Sequence, residues 1–174
     1  MIIDHKLREI KDFPKKGVVF KDITKLLEDG KTFKYVVEKL VEFTKMQKAD
    51  VVAGIESRGY IFSSPVAYSL GLGHVMIRKQ GKLPFKTIRE VYNYEYSSNS
   101  LEIHVDSITP GQKVVIIDDI LATGGTGKAA AKLIERLGGK VVGMGFLLEL
   151  KGLGGRETLK GYEIYSLTKS KVKK

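Results

Sequence analysis

Two consecutive carboxylates, Asp118 and Asp119, stand between an unbroken apolar run, Val114-Val115-Ile116-Ile117, and a short glycine-rich segment, Ala122-Thr123-Gly124-Gly125-Thr126. This one stretch restricts the fold more than any other. An apolar run without polar alternation is a strand covered on both faces, and such strands belong to mostly parallel sheets with helices on either side. Ligands of those sheets bind outside the carboxyl ends of the strands. Glycines there let backbone N–H groups close around an anion. The helix expected to follow, from Gly127 to Leu137, adds free N–H groups and a positive dipole end.

Ala122 to Thr126 therefore has the makings of a cradle for a phosphate monoester, with the Thr123 and Thr126 hydroxyls as extra donors. Asp118 and Asp119 do not favour more negative charge. They suit acceptance of hydrogen bonds from sugar hydroxyls, or a metal ion. A phosphate on one side and a diol on the other describes a ribose 5-phosphate. Two familiar nucleotide loops are excluded. A Walker A loop, GxxxxGK[ST], fails because Ala129 follows Lys128 and Ala122 stands where its first glycine belongs. A GxGxxG fingerprint is also missing here.

The rest of the chain supplies the sheet. Strands are expected at Asp50–Glu56, His74–Lys79, Lys113–Asp118, Lys140–Leu150 and Tyr162–Leu167. Between them lie helices at Lys31–Gln47, with one apolar stripe, and at Tyr60–Leu70, which contains Pro65 and stops at Gly71. Strand–helix–strand alternation gives an α/β fold with a mostly parallel central sheet flanked by helices. From Gln80 to Thr109 the pattern changes. Val91–Tyr96 and Leu101–Val105 alternate around Ser97–Ser100, the mark of an antiparallel hairpin projecting from the sheet, preceded by a mobile loop at Gln80–Thr87. At 174 residues without repeats or linkers, the chain is expected to be a single domain.

The absence of cysteine excludes disulfides, thiolate nucleophiles and cysteine-bound metals. His5, His74 and His104 have no metal-ligand spacing. There is no membrane-length apolar run and no signal-peptide core at the N-terminus, so a cytoplasmic protein is expected. The net charge of +10 has two sources. Residues 57–89 contain no acid and six cations, Arg58, Arg78, Lys79, Lys82, Lys86 and Arg89, and the tail 169–174 adds four lysines. Lysines far outnumber arginines, which suits solvated surface better than base or phosphate readout along a nucleic acid. The tail is expected to be solvated, and the acid-free window to face a small anion.

The segment Val114 to Thr126 resembles the 5-phosphoribosyl 1-diphosphate (PRPP) motif of type I phosphoribosyltransferases. Three further segments narrow the resemblance to the adenine phosphoribosyltransferase family: Asp12–Thr24, with Phe13-Pro14 and Gly17-Val18-Val19-Phe20; Gly54–Phe62; and Ile77–Pro84 followed by Tyr94-Glu95-Tyr96. The resemblance runs from about Arg8 to Leu167. It implies a type I phosphoribosyltransferase fold, with residues 1–30 as a base-binding hood and 79–100 as a flexible catalytic loop and hairpin. Ala122, Thr123, Gly124, Gly125 and Thr126 would hold the 5′-phosphate, and Asp118 and Asp119 the ribose hydroxyls. Ser57 and Arg58 fall on the diphosphate loop. Val19 would bond adenine through its backbone, with Phe20 and Ile120 on the two faces of the base. Lys79 and Lys82 belong to the closing flap. Glu95 would manage the purine proton, with Tyr96 beside it. Mg²⁺ would be held mainly by PRPP rather than by protein ligands. The substrates would be adenine and PRPP and the assembly a homodimer, with neither nucleic acid nor membrane as partner.

Two positions depart from the family. Lys21 stands where arginine is usual, replacing a bidentate group that reaches the diphosphate with a point charge, and Lys16 stands where proline is frequent. Two other functions are compatible with the same motifs: a hypoxanthine or guanine phosphoribosyltransferase, and a PRPP-binding regulator. The first would need the hydrogen-bonding pattern near Val19 reversed. The second would need a nucleic-acid-binding element for which the chain has little spare length.

Overall fold

A computed structural model describes residues 3–13, 15–94 and 97–171. The chain opens with a 3₁₀ turn at Asp4–Lys6 and an antiparallel pair, β1 (Arg8–Lys11) and β2 (Val19–Asp22). Helices α1 (Thr24–Leu27) and α2 (Gly30–Met46) follow. Asp29 caps α2 by accepting from Thr32 N at 2.8 Å. That bond, with the Lys6 ammonium at 3.0 Å, holds the Asp29 carboxyl at a pKa of about 2.

The main sheet is built from β3 (Val51–Ile55), β4 (Gly73–Lys79), β5 (Thr87–Tyr94), β6 (Ser97–His104), β7 (Lys113–Leu121), β8 (Lys140–Lys151) and β9 (Ile164–Lys171). Its order is β5-β6-β4-β3-β7-β8-β9. Strands β4, β3, β7, β8 and β9 run parallel, and the β5–β6 hairpin joins antiparallel through Arg78↔Glu102 and Lys79↔Leu101. The crossovers carry α3 (Gly59–Leu70), α4 (Gly125–Arg136) and the short α5 (Gly155–Thr158). The fold is the expected α/β architecture, a mostly parallel sheet flanked by helices with an antiparallel hairpin.

Strand β7 shows why its sequence lacks alternation. Val114 and Ile116 pack on one face with Leu133 and Ile134 of α4. Val115 and Ile117 pack on the other with Leu40 of α2 and Phe62 of α3. All four valine and isoleucine side chains are fully buried. On α3, Pro65 lies mid-helix, and the helix stops at Gly71, whose φ of 64° supplies the left-handed cap. Among the described residues no helix is long and apolar enough to cross a membrane.

Three details differ from the sequence expectation. Strand β7 continues past Asp118 to Leu121, because the long β8 still offers partners, Leu148 to Ile120 and Glu149 to Leu121. The hairpin is anchored at its base. Leu101 and Ile103 are buried in the core, and α4 grips β5 through Lys132–Glu90 at 2.8 Å and Arg136 Nη1–Arg89 O at 2.7 Å. Its register pairs Tyr94 with Ser97, so Ser97–Ser100 is strand rather than turn. The basic tail is an edge strand as far as Lys171, because β8 extends far enough for Glu149 and Lys151 to pair with Lys169 and Lys171.

Candidate active site

A cavity of about 500 Å³ opens at the carboxyl ends of β3 and β7, roofed by β2. Segments distant in sequence meet there. Strand β2 contributes Val19, Phe20 and Lys21. The turn after β3 contributes Ser57 and Arg58, beyond a cis peptide between Glu56 and Ser57. Strand β7 and the loop after it contribute Asp118, Asp119, Ile120, Ala122 and Thr126, and Lys79 closes one side from the end of β4.

The two aspartates are an electrostatically unsettled pair. Asp119 is buried, and its Oδ2 has no hydrogen-bond partner. Arg58 Nε lies 2.7 Å from that oxygen, so the two form an ion pair by proximity without a directed hydrogen bond. Asp118 Oδ1 accepts from the Asp119 backbone N–H at 2.9 Å. Burial pushes the Asp118 carboxyl well above the usual range, and the neighbouring Asp119 charge pushes it further. Burial also raises Asp119, against the pull of Arg58. The close fit depends on Gly59. A Cβ there would stand 2.9 Å from both Asp118 Oδ1 and Ile117 O, so only glycine lets α3 start against β7.

Arg58 also lies over the Phe20 ring, its Cζ 5.4 Å from the centroid. Phe20 is steadied by an edge contact with Phe13 at 5.2 Å. One guanidinium thus covers both an apolar ring on β2 and an acid on β7. Lys21 is paired with Glu9 across β1–β2, its side chain only 11% exposed.

The glycine-rich loop has its own small hollow of about 30 Å³, lined by Ala122, Thr123, Gly124 and Thr126 below Asp118 and Phe146. Gly124 has φ of +82°, and a Cβ there would stand 2.7 Å from Gly155 O. Its conformation and its contact with α5 thus both require glycine. Gly125 begins α4 and lines neither hollow, although a Cβ there would be 3.6 Å from the Tyr92 ring. Lys82 does not line the cavity; its carbonyl accepts from Arg78 Nη1 at 2.8 Å, and the turn before it is held by Gly81 N to Glu102 Oε2 at 2.9 Å. Glu95, Tyr96 and Pro14 lie outside the described residues.

Residues 24–168 match the family model for the phosphoribosyl transferase domain. Adenine phosphoribosyltransferase of Desulfitobacterium hafniense is 52% identical over 166 residues, covering 95% of this chain and 96% of that protein. The chain belongs to the adenine phosphoribosyltransferase family. The crystal structure of an adenine phosphoribosyltransferase from Thermoanaerobacter pseudethanolicus superposes with a TM-score of 0.94 at 52% identity, covering 97% of this chain and 98% of that one. That of Saccharomyces cerevisiae adenine phosphoribosyltransferase, complexed with an imino-altritol bisphosphate and adenine, superposes with 0.89 at 34% identity over 95% and 96%.

Within this adenine phosphoribosyltransferase fold, four cavity residues were not found from the sequence: Val18, Glu56, Tyr92 and Leu150. Glu56 carried a signal, since it sits beside Ser57 and Arg58 in the acidic-to-basic turn that ends β3. Tyr92 lies within the alternating run Val91–Tyr96 that marks the hairpin. Leu150 carried none, because it reaches the cavity only through the length of β8.

Proposed function

We propose that the chain transfers the 5-phosphoribosyl group of PRPP to adenine, releasing AMP and diphosphate. The observation that carries this is the joining, in one cavity, of an aromatic platform on β2, two under-neutralised carboxylates on β7 and a glycine-built loop at a helix start. These match, in order, a purine ring, a vicinal diol and a phosphate. The hollow at Ala122–Thr126 takes the 5′-phosphate, and Asp118 and Asp119 accept from the ribose hydroxyls. Ser57, Arg58, Lys79 and Lys21 face the diphosphate, and Lys82 approaches with the loop it belongs to. Phe20 and Ile120 sandwich the base, and Val19 reads it through backbone groups.

Transfer at the anomeric carbon passes through an oxocarbenium-like state. No protein nucleophile is needed. The chain's work is to align base and sugar, to hold the departing diphosphate with cations, and to keep water out. Arg58 must leave both Phe20 and Asp119 for this to happen, and an incoming diphosphate offers it a better counter-ion than a single carboxylate. Glu95, with Tyr96 beside it, exchanges the proton of the purine ring nitrogen. Among the described residues no cluster of three or more acidic or imidazole groups could cage a metal ion, which fits a Mg²⁺ ion carried mostly by substrate oxygens. Mg²⁺ held that way would supply charge neutralisation to the diphosphate, beside the cations of Arg58 and Lys79. Residues 1–30 act as the base-binding hood and 79–100 as the closing flap, in a cytoplasmic homodimer.

The test is PRPP-dependent nucleotide formation with adenine, hypoxanthine and guanine in parallel. Adenine should give the highest kcat/KM. Faster turnover of a 6-oxopurine would overturn the assignment of the base site.

A further inference from the structure

Glu56 is a carboxylate on the cavity wall beside Ser57, Arg58 and Lys79, the groups that face the anion, where its charge opposes an anionic ligand. Its bonds account for its presence. Its Oε2 accepts from Arg78 Nε at 3.2 Å and from the Lys79 backbone N–H at 3.0 Å, and its Oε1 accepts from Arg78 Nη2 at 3.3 Å. Its own N–H donates to Ile77 O at 2.9 Å, an oxygen that also accepts from Tyr60 Oη at 2.9 Å. Arg78 in turn donates to Lys82 O. One side chain therefore ties the turn that bears Ser57 and Arg58 to the end of β4 that bears Lys79, and through Arg78 to the loop beyond. Arg78, counted by sequence among the anion-facing cations, is engaged with Glu56 instead and is absent from the cavity lining.

We propose that Glu56, braced by Arg78, is a positioning residue for the anion site: it fixes the spacing between Ser57–Arg58 and Lys79 so that both sides grip one diphosphate group. This rests on the phosphoribosyl-transfer reading for the identity of the anion, but the geometry predicts a result that simple charge does not. Removing a negative charge from the wall of an anion site should tighten anion binding. Removing a strut that aligns the cations should weaken it.

The test is calorimetric titration of the intact protein with magnesium diphosphate, alongside steady-state KM values for PRPP and adenine and a melting temperature. Glu56→Gln should bind diphosphate about tenfold more weakly, the size of one lost charge-assisted hydrogen bond. KM for PRPP should rise by a similar factor while KM for adenine stays within about twofold. Glu56→Asp, which keeps the charge on a shorter stem, should fall between. Glu56→Gln with Arg78→Gln should be no worse than the worse single variant, since both break one strut. Diphosphate binding that is unchanged or tighter in Glu56→Gln, or additive effects in the double variant, would overturn the proposal. Because titration needs no adenine and no turnover, it stands even if the wild-type protein proves to use another base.

Discussion

Strands β7 and β8 are neighbours, and each carries acid at the same end of the sheet, but the two ends are finished in opposite ways. On β8, Glu149 is saturated. It accepts from Arg156 Nε and Nη2 at 3.0 and 2.8 Å and from Ser166 Oγ at 2.7 Å, with Lys169 at 3.8 Å. The Arg156 bonds outweigh its burial and hold its carboxyl at a pKa of about 2. On β7, burial pushes both Asp118 and Asp119 the other way, the Asp119 charge pushes Asp118 further, and a buried oxygen of Asp119 lacks a hydrogen bond. The β8 acid is a finished joint between β8, α5 and β9. The β7 acids are left unfinished, and an unfinished pair of charges in a cavity is a place for a ligand to complete.

The comparison breaks first if the β7 acids prove dispensable. Asp118→Asn with Asp119→Asn removes both carboxylates with little change of shape. Loss of two charge-assisted hydrogen bonds at about 1.5–3 kcal/mol each should lower kcat/KM for PRPP by roughly 10²–10⁴. Circular dichroism and the melting temperature should show an intact fold. Unchanged kinetics would mean that the pair is ordinary strand surface.

The β8 acid should respond in stability rather than activity. Arg156→Ala leaves Glu149, whose side chain is 9% exposed, without its main partner. Arg156 itself is 42% exposed, so water replaces part of what is lost. The cost should be about 2–3 kcal/mol, below that of a fully buried pair, or roughly 4–12 °C in Tm. The sign follows from the lowered pKa. The pair's stabilisation is complete above the ordinary carboxyl value of 4.5 and is lost as pH falls toward about 2. The Tm gap between wild type and variant should therefore close in acid. A gap that is constant down to pH 2 would remove the ion pair as its cause.

These two acid sites were not equally legible. Asp118 and Asp119 stood out because they interrupt an apolar run and precede a glycine-rich loop, a purely local signal. Glu149 did not, because its partners lie 7 and 17 residues away and meet it only through the β8–α5–β9 packing. The parallel strands were readable from their unalternating runs, yet their ends were not. Strand β7 gains its last three residues from pairing with β8, which no local pattern encodes. The β1–β2 pair was visible only as a family-like segment, since four exposed or half-exposed residues per strand leave no periodic signature. Glu56 was passed over although its neighbours were named, because its task is to bond residues more than twenty positions away.

The smallest effect separates function from stability most sharply. A carboxyl whose pKa is raised in the folded state contributes stability below its unfolded value and loses it as pH rises through the folded value. Asp118 is in that position, so ionising it in the folded protein works against folding. Asp118→Asn keeps an oxygen to accept from the Asp119 N–H and removes the charge. The single variant should therefore melt higher than wild type at pH 7.5, by a few degrees. The gain should fade as pH falls toward the ordinary carboxyl value of 3.8, because the wild-type carboxyl is already neutral in the fold below its raised value and becomes neutral in the unfolded chain as well. The same variant should lose most of its PRPP-dependent activity. A residue whose neutralisation strengthens the fold and disables the chemistry is retained for the chemistry. If Asp118→Asn melted lower at neutral pH, Asp118 would have to be regarded as a settled structural acid like Glu149.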